Sequence, residues 1–129
     1  MKSNELRIGN YYLQDGEYRK VDANTILDTM QHEMTNKCNK ITPIPITKEI
    51  LEKCGFEINN NQAKTIIDDW LYVMIDIDKE VKITISTNIN DFTEGLHPVI
   101  SILHLPIAFL HELQNLYFVL TRRELEVKL

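Results

Sequence analysis

Leu105-Pro-Ile-Ala-Phe-Leu-His-Glu-Leu-Gln-Asn-Leu-Tyr-Phe-Val-Leu-Thr121 reads as one long amphipathic helix, and the rest of the chain is read against it. At helical spacing, Phe109, Leu110, Leu113, Leu116, Tyr117 and Leu120 share an arc of roughly 120°, which is a core face. Pro106 is expected in the first turn, where its missing N–H costs nothing. Phe118 and Val119 lie opposite the core arc, among His111, Glu112 and Asn115. A second apolar contact on a mostly polar face must meet either another part of the fold or a partner.

Upstream, the pattern has the period of strands. Phe56–Ile58 leads into an Asn59–Gln62 turn, and Thr65–Ile67 returns from it. Trp70–Ile77 is rich in aromatic and branched residues, as strands are. Both of its faces are apolar, with Trp70 and Tyr72 on one and Leu71, Val73 and Ile75 on the other, so both are expected to be covered. Val81, Ile83 and Ile85 alternate with Lys82, Thr84 and Ser86, a half-exposed strand. Val99–Leu103 is the next strand, and Glu124–Leu129 is expected to add a short terminal one.

Near the N-terminus, Leu6–Leu13 is a strand candidate interrupted by Gly9-Asn10. Asp15-Gly16 can take the positive φ angles of a tight turn, so Tyr18–Val21 should return antiparallel to Tyr11–Leu13. Ile26, Leu27, Met30 and Met34 repeat at helical spacing, with Asp22 or Asn24 as the cap. Pro43 and Pro45 keep Thr42–Thr47 extended. Thr47 then caps a short helix over Lys48–Cys54, Gly55 ends it, and Ile50, Leu51 and Cys54 form its buried stripe. The sum is an α+β fold: an N-terminal β-hairpin, short helices, and an antiparallel β-meander packed against a long C-terminal helix. One domain spans 1–129, with a weak boundary separating an N-terminal hairpin region, 1–42, from an α+β core, 43–129.

Composition narrows the function classes. With 14 basic and 19 acidic residues the net charge is −5, which argues against a general binder of phosphate backbones. No apolar run is long enough to span a bilayer, and Met1–Asn10 has no signal-like apolar segment. The expectation is a cytoplasmic protein. Cys38 and Cys54 form no Cys-x-x-Cys pair and are read as free thiols.

Three motifs carry a family resemblance: Glu5-Leu-Arg-Ile-Gly-Asn-Tyr11; Pro43-Ile-Pro-Ile-Thr47 with Glu49-Ile-Leu-Glu-Lys-Cys-Gly-Phe56; and His111-Glu-Leu-Gln-Asn-Leu-Tyr-Phe-Val-Leu-Thr121 with Glu124-Leu125. Together they resemble a group of small uncharacterised proteins of Bacteroides-type gut bacteria and their phages or mobile elements. The resemblance implies a prokaryotic or phage setting and carries no activity, cofactor or catalytic residue. It also implies a glycine after Thr121 as the helix C-cap, where this chain has Arg122.

Several constellations invite chemistry. His97, His104 and His111 are seven apart, but Pro98 and Pro106 break the helix that would align them as metal ligands. Asp76 and Asp78 share a strand face beside Lys79 and Lys82 and, with His97, outline a metal-dependent phosphodiesterase. A polar turn explains them more simply. Arg7, Arg19, Lys20, Lys37, Lys40, Arg122 and Arg123, with Tyr11, Tyr12 and Tyr18, outline a single-strand nucleic-acid surface against an acidic total. Cys54, at a helix C-terminus, is expected to have a raised thiol pKa.

The leading expectation is a non-enzymatic accessory or protein-interaction protein without a cofactor or metal. It would meet a second copy or a host or phage protein through His111, Gln114, Asn115, Phe118 and Arg122. Its rival places Phe118 beneath the N-terminal hairpin. Nucleic-acid binding and the Asp76/Asp78 phosphodiesterase are the alternatives.

Overall fold

A computed structural model of the 129-residue chain describes residues 1–68, 71–77, 82–87 and 100–129. The chain divides into two compact units. The first comprises Met1–Pro45, Phe109–Leu125 and Leu129; the second comprises Ile46–Ala108 and Glu126–Lys128. The chain thus changes unit after Pro45, and the C-terminal helix joins the N-terminal segment in the first unit.

The first unit starts with a short helical turn, Ser3–Glu5, and not with the strand expected from Leu6. Strands β1 (Tyr11–Gln14) and β2 (Glu17–Lys20) form the expected hairpin, with Gln14 opposite Glu17. Asp15 (φ 51°) and Gly16 (φ 82°) make its two-residue turn, and two positive φ angles match the natural twist of paired strands. Strand β3 (Ile41–Thr42) pairs with β1 from the other side, giving the order β2-β1-β3. Tyr12, Val21 and Ile41 form the core here, with Met1, Leu6 and Ile26 packed on it.

Helix α1 (Ala23–Met34) starts at Asp22, whose carboxylate accepts from the Thr25 backbone N–H at 2.7 Å. Its buried line is Thr25 and Thr29, not the apolar repeat that identified it. Thr29 is fully buried because its hydroxyl donates to the Thr25 carbonyl at 2.8 Å and so needs no other partner.

Helix α3 (Leu110–Thr121) has 12 residues and begins later than expected. Pro106 belongs to a strand, which corrects its assignment to a first helical turn. Phe109 bridges to Pro45 in extended conformation, and the Leu110 N–H donates to the Ile44 carbonyl at 2.9 Å. That pairing holds the backbone extended up to the N-cap. Glu112 then reaches back to accept from the Phe109 N–H at 3.1 Å.

In the second unit, α2 (Lys48–Lys53) is capped by the Thr47 hydroxyl, which accepts from the Ile50 N–H at 3.3 Å. Gly55 (φ 82°) follows it, and Ile50, Leu51 and Cys54 are buried as expected. Strands β4 (Glu57–Asn59), β5 (Gln62–Asp68), β6 (Leu71–Asp76), β7 (Lys82–Thr87) and β8 (Ile100–Pro106) form an antiparallel meander in chain order. Pro106 ends the edge strand β8, where a missing donor is tolerated.

Ala63, Val73 and Ile75 form a buried face, and the register sets Ile85 and Ile83 opposite the last two. On the other face Lys64, Ile66 and Asp76 are exposed and Met74 is half-buried. Trp70 and the Tyr72 side chain, on which the expectation of a second covered face rested, lie outside the described residues. Residues 124–129 form no strand; the Lys128 N–H makes a single bond to the Lys53 carbonyl at 2.9 Å.

Candidate functional site

The face of α3 expected to meet a partner is occupied by the chain's own N-terminal segment. Gln114 is 1% exposed: its Oε1 accepts from the Tyr11 N–H at 2.9 Å and its Nε2 donates to the Gly9 carbonyl at 3.3 Å. Asn115 is half-buried, accepts from Asn10 Nδ2 at 3.0 Å and donates to the Glu5 carbonyl at 3.1 Å. Arg7 lies over the half-buried Phe118 ring, 4.2 Å from its centroid, and forks onto the Glu124 carboxylate, with Nη2 at 2.9 Å. The Arg7 hydrogen bond holds the Glu124 carboxyl below the usual range.

His111 is 3% exposed, which corrects its placement on an exposed face. Its ring stacks on Phe109 with centroids 5.9 Å apart, and its buried Nδ1 has no hydrogen-bond partner among the described residues. Burial lowers its pKa, partly opposed by Glu112 and Glu5. Of the five residues, only Arg122 is exposed; it ends α3 in the left-handed region, φ 58° and ψ 19°.

The other constellations separate as well. Asp76 closes β6 opposite Lys82, whereas Asp78, Lys79 and His97 lie outside the described residues. His104 is in β8 opposite Thr84, and His111 is in α3. Among the described residues, no three His, Cys, Asp or Glu side chains are placed to share a metal ion. The Cys54 thiol is raised as expected, and burial pushes it up to about 12. Of the basic set, Arg7 is held by Glu124, Arg19 lies 3.4 Å from Glu17, and Lys20 sits over the Tyr11 ring. Tyr12 is core and Tyr18 is exposed.

An apolar surface that the sequence reading used only to locate a helix is the outer side of α1. Leu27, Met30 and Met34 are 56%, 44% and 82% exposed. At helical spacing they lie about half a turn from the Thr25–Thr29 line. Beside Met34 is a cleft of about 310 Å³ lined by Gln31, His32, Met34, Thr35 and Lys37. A second cleft, about 250 Å³, opens on the inner side of α1 between Asp28 and His32 and the chain leading into β3. Periodicity located the helix, but no local signal says that two threonines outcompete the apolar stripe for burial.

Comparison with models of known families gives no match, and neither curated proteins nor solved structures show a similar chain.

Proposed function

We propose that this chain is a non-enzymatic interaction protein that works as a homodimer, two copies meeting through the outer faces of α1. The carrying observation is the solvent-exposed line Leu27–Met30–Met34. An exposed apolar helix face favours association, and flexible methionines adapt to whatever packs on them. The spacing suits a second copy. A two-fold axis crossing α1 between Met30 and Gln31 sets Leu27 against the partner's Met34. It also points Leu27 at the partner's cleft, where Gln31, Met34 and Thr35 have the i, i+3, i+4 spacing of a hole that receives a helix knob. Glu33 is drawn off this face by Ser3, to whose hydroxyl and N–H it is bonded at 2.6 and 2.7 Å.

The titratable groups support a binding role over a catalytic one. Among the described residues, Asp22 caps α1, Glu33 holds Ser3 and Glu124 holds Arg7, so these three shifted carboxylates answer to structural contacts, while Cys54 and His111 are shifted by burial. An accessory role in a phage or mobile element accords with the motif resemblance.

Three side chains cover less than the roughly 800 Å² per partner of a standard interface, so the dimer should be weak and concentration-dependent. Size-exclusion chromatography with light scattering tests it. The native chain should rise towards twice its monomer mass with concentration. Leu27→Glu and Met30→Glu should remain folded monomers, while Val119→Glu, at an exposed apolar site on α3, should behave as native. A native monomer at every concentration, or a dimer that survives Leu27→Glu, overturns the proposal.

A further inference from the structure

The cleft on the inner side of α1 has a different chemistry from the apolar outer face. Tyr12 and Ile41, both buried, line it. Asp28 and His32 contribute from α1, and Asn39 and Lys40 from the chain leading into β3. Two opposite charges therefore line one small cavity. Neither the Asp28 carboxylate nor the Lys40 ammonium has a hydrogen bond or ion pair among the described residues, with each other or with any third group. Elsewhere in this unit Asp22, Glu33 and Glu124 all have donors.

His32 is fixed in place. Its Nδ1 lies 2.6 Å from the Asp28 carbonyl, which can only accept, so Nδ1 carries a proton and donates there. The lining thus offers an acceptor, Asp28, and donors, Lys40 and the Asn39 amide, around an apolar floor.

We propose that this cleft binds a small zwitterion of the free α-amino-acid class. The ligand ammonium would face Asp28, its carboxylate Lys40, and an apolar side chain the Tyr12–Ile41 floor. A simple anion or cation would satisfy only one of the two charges. The volume, about 250 Å³, is just below the ~300–1,000 Å³ of most ligand pockets and suits a ligand of few heavy atoms. The Tyr12–Ile41 floor and the Leu27–Met30–Met34 line lie on different sides of α1, with His32 bordering both clefts, so each proposal is tested by its own variants.

Calorimetric titration with L-leucine tests it. Two analogues serve as probes: leucinamide, which lacks the carboxylate, and isocaproate, which lacks the ammonium. Leucine should bind in the millimolar range, and each analogue about tenfold more weakly. Asp28→Asn should weaken leucine about tenfold and leave isocaproate unchanged, and Lys40→Gln should weaken leucine and leave leucinamide unchanged. Both side chains are exposed and Asp28→Asn keeps the carbonyl that holds His32, so both variants should fold, as circular dichroism will show. The proposal is overturned if native protein gives no leucine binding at millimolar concentration, or if the folded variants bind leucine as tightly as native.

Discussion

Gln114 ties together segments more than a hundred positions apart. An isosteric Gln114→Met replacement keeps the volume but strands the Tyr11 N–H and the Gly9 carbonyl in a buried place. Each stranded group costs about 1–3 kcal/mol, so urea unfolding should register a loss of about 3 kcal/mol. A loss under about 1 kcal/mol would mean that water replaces the amide. His111 predicts a pH dependence. Its folded pKa is lowered from the ordinary 6.5, so above that value the ring is neutral in both states and stability is intact. As pH falls from 6.5 through the lowered folded value, the unfolded chain takes up the proton more readily and stability is lost. Urea midpoints of native protein and His111→Leu, measured across that window, should diverge, with the variant lacking this part of the acid loss. Parallel curves would remove His111 from the account.

At the scale of elements, local chemistry decided most boundaries. Asp15-Gly16 set the first hairpin, Asp22 the start of α1, and Thr47 with Gly55 the ends of α2. Each is a one- to three-residue rule about φ or an orphan N–H, and such rules are legible in a sequence. Two elements departed from their pattern. α3 lost its first turn because Phe109 and Leu110 are held by Pro45 and Ile44, a partner some sixty-five positions away. α1 kept its limits, but of its apolar repeat only Ile26 packs on the Tyr12–Val21–Ile41 core, while Leu27, Met30 and Met34 face outward. The end of α3 carries a testable cost. Arg122 adopts the left-handed conformation that a glycine takes without strain, and its N–H donates to the Phe118 carbonyl at 2.7 Å. Arg122→Gly should therefore stabilise the fold by about 1 kcal/mol, raising the melting temperature by a few degrees; an unchanged or lower value would mean that the arginine side chain offsets the strain.

Across the whole molecule, the chain divides into two compact units, and the first of them takes in both the N-terminal segment and residues 109–125. The β-meander was readable because strands that neighbour in sequence also neighbour in space, so alternation and turns set their order. The long-range return of residues 109–125 to the N-terminal unit was not readable, because no local pattern encodes which segment a helix will cover. That return sets the polar residues beside Phe118 against the N-terminal segment: buried Gln114 meets Gly9 and Tyr11, and half-buried Asn115 meets Glu5, Arg7 and Asn10. By itself the sequence determined the α+β class, the ends of α2, the Asp15-Gly16 hairpin turn and the order of the meander strands, all of which follow from φ preferences and hydrophobic period within a dozen residues. Only the tertiary structure decided which face of each helix is covered, because burial depends on what lies across the contact, and hydrophobic period is silent about which of two competing faces wins.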